Sequence, residues 1–145
     1  MISLENLRKE DIPFLIKIME ENDDSTRDDA KEWYLKSLKK GYTNDFVIKL
    51  DSKTIGIIGY RKWKNRAVLT WFHISKKYHE RGYGSKALLK LEKLVSKNNI
   101  SEIQADTGYS KAIDFYKKNG YKIVRIIPHY FPKGSSKTTL RKEIE

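Results

Sequence analysis

The segment His79-Glu80-Arg81-Gly82-Tyr83-Gly84-Ser85-Lys86 concentrates groups that can bind an anion. It follows a β-prone run ending at Ile74 and opens a helix striped with Leu88, Leu91, Leu94 and Val95. A helix start presents amides with no acceptor inside the helix, together with the positive end of the helix dipole. Glycines at 82 and 84 let a ligand approach the backbone with no Cβ in the way. Arg81, Ser85 and Lys86 add charge or hydrogen-bond donors. Diphosphate is the anion that suits such a cradle, and a structural tight turn is the competing reading of the two glycines. The segment is not a Walker loop, because the long glycine spacing and the Lys-Ser/Thr pair are missing. Nor is it a dinucleotide fingerprint, which needs a third glycine.

A second stretch, Ala112-Ile113-Asp114-Phe115-Tyr116-Lys117-Lys118-Asn119-Gly120-Tyr121, reads as a helix that stops at glycine and re-enters a strand. Phe115 and Tyr121 suit a core. Tyr116 suits either a core or a site of proton transfer. His73, one residue before Ile74, is the other candidate for moving protons, and His129, beside Pro128 and Tyr130, is a candidate to line the acceptor side. The acidic run Glu20-Glu21-Asn22-Asp23-Asp24 is either a solvated loop or an attractor for a cationic amine.

The elements that must position these residues follow from periodicity. Residues 2–7 alternate as in a half-buried strand, and Asp11 can cap a helix with Pro13 in its first turn. A second helix is expected through Trp33, Leu35 and Leu38, ending at Gly41. Strands follow at residues 46–50, 55–60 and 68–74, then the helix opened by the glycines and a strand at 100–105. A helix over 110–119 and strands at 121–127 and 138–144 close the chain. The order β-α-α-β-β-β-α-β-α-β-β predicts an α/β fold in one domain over residues 1–145. Its mixed, mostly antiparallel sheet would be flanked by helices on both faces.

Composition narrows the function. Three Trp, nine Tyr and 39% hydrophobic residues argue for a folded core, despite 34% charged residues. With no cysteine, disulfides, thiolate metal sites and a cysteine nucleophile are excluded, and no metal is expected. No run of about 18 apolar residues and no signal-peptide core occur, so a cytoplasmic chain with no membrane span is expected. The net charge of +11 attracts polyanions of many kinds, nucleic acid and ribosomes among them. Lysines scattered along the whole chain also fit a plain solvated surface.

Together the two motifs resemble the GCN5-related N-acetyltransferase (GNAT) superfamily. The family's cofactor loop, Gln/Arg-x-x-Gly-x-Gly/Ala after a strand with an aliphatic end, is matched by Ile74, Gly82 and Gly84. Its later signature, Ala-x-x-Phe-Tyr-x-x-x-Gly-Phe, is matched by Ala112, Phe115, Tyr116, Gly120 and Tyr121. The resemblance implies an acyl-CoA N-acyltransferase fold and transfer of an acetyl group from acetyl-CoA to an amine of a protein or small molecule. It implies that the backbone of Phe72, His73 and Ile74 receives the pantetheine arm, and that amides of Glu80, Arg81, Gly82, Tyr83, Gly84 and Ser85 hold the diphosphate. His79, Lys86, Tyr109 and Ala112 complete the implied cofactor contacts. Tyr116 would face the sulfur and protonate the departing thiolate, a task suited to a phenol. His73 is the implied proton relay, because Val68 stands where some members place a glutamate. Two positions depart from the pattern: His79 replaces Gln or Arg, and Tyr109 replaces a frequent asparagine. The alternative function is a basic RNA- or ribosome-binding module on the same fold with little turnover. Either a monomer or a homodimer is compatible with the sequence.

Overall fold

The computed structural model describes residues 1–22, 32, 35–36, 39–40, 43–131 and 134–144. Its strands are β1 (Ile2–Asn6), β2 (Asn44–Leu50), β3 (Lys53–Trp63), β4 (Arg66–Ile74), β5 (Glu102–Thr107), β6 (Lys122–Ile127) and β7 (Lys137–Glu143). Three helices have described bounds, α1 (Ile12–Asn22), α2 (Tyr83–Ser96) and α3 (Ser110–Lys118), with short 3-10 turns at Lys9–Asp11 and Lys76–Tyr78, and Glu32, Leu35, Lys36 and Lys39 are helical as well. The strands form one sheet in the order β1-β2-β3-β4-β5-β7-β6. The β1–β2, β2–β3, β5–β7 and β6–β7 pairs are antiparallel, and β4–β5 is parallel. This is the expected mixed sheet with helices. Most of the expected second helix, Trp33 and Leu38 included, lies outside the described residues.

The chain divides into two compact units. The first comprises Met1–Arg61 and Thr70–Leu91. Here Ile12, Leu15, Ile16, Ile18 and Met19 of α1 bury against Val47, Ile57 and Trp71. Each such aliphatic side chain contributes roughly 1.5–3 kcal/mol on burial. Val47 and Ile57 sit opposite one another across β2 and β3 and so share a face. Ile48 and Ile58 point the other way and are fully buried as well, so the sheet is covered on both sides here. Asp11 does not cap α1. It ends the preceding 3-10 turn and accepts the Arg8 amide at 3.0 Å.

The second unit comprises Lys62–Leu69 and Glu92–Glu145. In β5, Ile103, Ala105 and Thr107 are buried, while Glu102, Gln104 and Asp106 on the opposite face are half-buried. Helix α3 packs against β5, β6 and β7. The parallel ladder joins Arg66–Val68 to Glu102–Gln104, and among the described residues β5 pairs beyond Gln104 with β7. The sheet ends at β6, where Ile123, Val124 and Ile126 are exposed.

Candidate functional site

The anion cradle is built from the first unit alone. β4 ends at Ile74, and the chain crosses the 3-10 turn Lys76–Tyr78 into α2. Three contacts hold this crossing. Asn22 Nδ2 donates to the Ile74 carbonyl at 2.7 Å, and His79 Nε2 meets the same carbonyl at 2.5 Å. The Lys76 amide donates to Glu21 Oε1 at 2.7 Å. Two members of the acidic run thus brace the cradle from the end of α1, and Asp23 and Asp24 lie outside the described residues.

The cradle backbone alternates in hand. Glu80 has φ 61° and Gly82 has φ 80°, with Arg81 between them outside the positive-φ set. Successive amides in such an alternation turn toward one concavity, which binds anions. A Cβ placed on Gly82 would meet nothing within 4 Å. That glycine answers to backbone conformation, and the space above it is open. Glu80, Arg81, Gly82 and Lys86 are exposed, while Tyr83, Gly84 and Ser85 are half-buried in the first turn of α2. Among the described residues, this arrangement suits an anion such as a diphosphate: oriented amides, a helix N-terminus, two flanking cations and no wall of side chains above. The His79 ring is turned to its own backbone and braces the loop. Phe72 and His73, both half-buried, lead into the cradle along β4.

Tyr116 belongs to the second unit, in the last turns of α3. The helix ends in a Schellman motif, with the Tyr121 amide donating to the Tyr116 carbonyl at 3.0 Å and the Gly120 amide to the Lys117 carbonyl at 3.1 Å. Gly120 supplies the left-handed residue, at φ 93°. The motif brings its two flanking side chains together, and the Tyr116 and Tyr121 rings lie 5.5 Å apart. The Tyr-x-x-x-Gly-Tyr spacing is therefore the local code for a buried tyrosine pair. Gly120→Ala is expected to cost about 1–2 kcal/mol, the penalty of a Cβ in the left-handed region. Urea unfolding would read it, and an unchanged midpoint would contradict the assignment.

Burial pushes the Tyr116 phenol well above its usual range, and the charge of Asp106 adds to the shift. Tyr121 is raised in the same way, first by burial and then by Glu92, which accepts its hydroxyl at 3.0 Å. The half-buried Lys142 joins this set, its Nζ 2.8 Å from Glu92 Oε1 and 3.0 Å from the Asn119 carbonyl. Tyr109 is exposed at the N-cap of α3 and donates its amide to Thr107 Oγ1 at 3.2 Å, while Ala112 is half-buried one turn on. His129 lies exposed in the turn after β6, at φ 54°. Asp106 went unnoticed in the sequence, and its charge is the one that reaches Tyr116. Among the described residues no three His, Asp or Glu side chains gather as a metal-binding set. No helix among them is long and apolar enough to cross a membrane.

Comparison with known proteins bears on the fold and the family. The solved structures that match include a protein described as a GNAT-family acetyltransferase from Desulfovibrio desulfuricans, at 17% identity and TM-score 0.84 over 100% of both chains. The ribosomal-protein-S18-alanine N-acetyltransferase of Escherichia coli matches at 19% identity and TM-score 0.82, over 100% of this chain and 95% of the other. The PaiA N-acetyltransferase of Thermoplasma acidophilum, solved with coenzyme A, matches at 21% identity and TM-score 0.74 over 99% of each chain. At these identities the likeness establishes the fold. No curated protein sequence matches significantly. The family model for the acetyltransferase (GNAT) family matches residues 3–121, most of the chain, and the protein belongs to that family.

Proposed function

We propose that the protein is an N-acetyltransferase that moves the acetyl group of acetyl-CoA directly onto an amine. The observation that carries this reading is the alternating-hand cradle at Glu80–Arg81–Gly82, which opens α2 beneath unobstructed space. In this reading the amides of residues 80–85 hold the diphosphate, with Arg81 and Lys86 supplying charge around it. The backbone of Phe72, His73 and Ile74 receives the pantetheine arm. Since the Ile74 carbonyl already accepts from Asn22 and His79, the arm pairs with other groups of this stretch.

The chain has no cysteine, so no acyl-cysteine intermediate forms and the amine attacks the thioester itself. Tyr116 supplies the proton that the departing sulfur needs. A phenol whose pKa is raised holds that proton throughout neutral pH, so the donor is loaded before each turnover. The acceptor amine must arrive neutral or be made so, because an ammonium has no lone pair for attack.

Thermal unfolding with acetyl-CoA, free CoA, ATP and RNA as separate additions tests the reading. A ligand at 100 times its Kd adds about 2.7 kcal/mol, which for a chain of this size raises Tm by roughly 5–10 °C. Both CoA species are expected to produce that shift and ATP to fall short of it. If ATP did as well, the cradle would be a generic anion site. A shift with RNA alone would favour the basic binding module.

A further inference from the structure

The last two strands of the second unit carry a cationic stripe that the acyl-transfer reading does not use. Lys142 reaches Glu92 and the C-cap of α3, so the even-numbered residues of β7 face the helices. Lys137, Thr139, Arg141 and Glu143 therefore stand on the opposite face. In the β6–β7 ladder Lys122 lies across from Arg141, and Arg125 across from Thr139, so both share that face. Lys122 and Arg125 are exposed and Lys137 and Arg141 half-buried. Among the described residues neither Lys122 nor Arg125 forms an ion pair, and Glu143, at one end, is the carboxylate on this face of β6 and β7. The carboxylates of the adjoining strand β5 are engaged. Glu102 holds Arg66 at 2.6 Å, while Asp106 accepts from the Thr139 hydroxyl at 2.5 Å and from Gln104 Nε2 at 3.1 Å. The Arg141 stem is fixed by its Nε, which donates to Gln104 Oε1 at 3.0 Å.

The stripe ends against aromatic rings. Lys137 Nζ lies 4.7 Å from the centre of the Tyr130 ring, and the Phe131 ring meets Tyr130 edge-on at 5.0 Å. The turn that carries them is pinned: the Phe131 amide donates to the Ser135 carbonyl at 3.1 Å and the Gly134 amide to the Phe131 carbonyl at 2.8 Å. The Phe131 ring rests on the bare backbone of Gly108, where a Cβ would come within 2.7 Å of it. The residue after Gly108 is Tyr109, which sets a third ring at the same end of the unit. Tyr109 is 54% and Tyr130 52% exposed, large aromatic surface left to solvent beside cations. We infer that this face and turn bind single-stranded nucleic acid, its phosphates along Lys122, Arg125 and Arg141 and its bases stacked on Tyr130 and Tyr109. Alternate residues of a strand stand about 6.6–6.8 Å apart, which suits successive phosphates of an extended single strand. An acidic peptide would satisfy the cations but gains little from flat rings, whereas every base has a face to stack. The inference stands apart from acyl transfer and needs no contact with the cradle.

Fluorescence anisotropy with labelled oligo(U) and oligo(A) RNA of about 12 nucleotides tests this, read across a series of salt concentrations. The wild type is expected to bind both with Kd about 10⁻⁶–10⁻⁴ M at physiological salt. Lys122→Gln with Arg125→Gln should flatten the slope of log Kd against log salt by about 1.4, two phosphates at about 0.7 each. Tyr130→Ala should weaken binding about 5–150-fold, the worth of one stacked base, and Tyr130→Phe should restore it. Removing two exposed lysines elsewhere, Lys53→Gln with Lys97→Gln, takes away the same charge and should change the slope by less than half as much. All these side chains are exposed, so the thermal midpoints should match the wild type and confirm folding. No binding by the wild type, or wild-type affinity in Tyr130→Ala, overturns the inference. So does an equal slope change in the Lys53 and Lys97 variant, which would make the interaction one of overall charge. Equal affinity for duplex RNA, whose bases are not free to stack on side chains, or for an oligo-glutamate of the same charge, overturns it as well. None of these outcomes touches acyl transfer, which stands or falls on the response to acetyl-CoA.

Discussion

Tyr116→Phe is expected to lower kcat by about 10²–10⁴-fold while leaving the affinity for acetyl-CoA unchanged. At 1.36 kcal/mol per tenfold, that is about 3–5 kcal/mol of barrier. The ring is buried against Tyr121, so the substitution preserves its packing and removes only the hydroxyl. A leaving thiolate with no proton donor is a poorer leaving group, and the loss should appear in kcat with little change in KM. The pH dependence adds a second signature. The folded-state pKa of Tyr116 is raised, so the folded state retains a proton that the unfolded phenol loses near pH 10. The stability contributed by this group is complete below that pH and is lost as pH rises beyond it. The Phe variant should therefore resist alkaline unfolding better than the wild type, even though it turns over more slowly. Wild-type rates in the variant would remove Tyr116 from the reaction.

Lys142→Met should have the largest effect on stability. The ammonium pairs with Glu92, whose side chain is 8% exposed, while that of Lys142 is 28% exposed. Removing one partner leaves a buried carboxylate facing the Tyr121 hydroxyl alone, and breaking a buried pair typically costs about 3–5 kcal/mol. In a chain of this length that lowers Tm by roughly 6–20 °C. The triple change Glu92→Leu, Lys142→Met, Tyr121→Phe should recover most of the loss, since an apolar replacement of a buried pair is often neutral. If the single substitution moves Tm by no more than a degree or two, the pair is solvated in solution and is not a support of the Tyr116–Tyr121 corner.

Much of this architecture can be read from local pattern. The stripe in α2, the glycine stop of α3 and the alternating burial of β5 are short-range signals, and the observed elements carry them within a few residues. The β3–β4 hairpin runs longer than its apolar run suggests, because Arg61, Lys62 and Trp63 extend β3 into solvent, where pairing with a neighbouring strand needs no hydrophobic side chain. Asp11 suits a cap because it precedes a helix, yet it is itself the last residue of a 3-10 turn, and its carboxylate accepts the Arg8 amide. His79 occupies the first position of the cradle motif, but only the fold brings its ring to the Ile74 carbonyl. Asp106 was hidden for a different reason. Along the chain, Glu102, Gln104 and Asp106 read as the wet side of an amphipathic strand. Its setting depends on register: Thr139, whose hydroxyl it accepts, lies 33 residues away on β7. Periodicity locates a strand's faces, but not what meets them.

The exposed strand at the end of the sheet has a consequence for the chain's own solubility. β6 presents an outer row of backbone donors and acceptors that no strand among the described residues uses, beside the exposed side chains of Ile123, Val124 and Ile126. Such an edge is a template on which another copy could add a strand. Lys122 and Arg125 interrupt the apolar run, and a net charge of +11 keeps identical copies apart at low ionic strength. The surplus of lysine, which first suggested a polyanionic partner, thus also guards an unfinished sheet against its own kind.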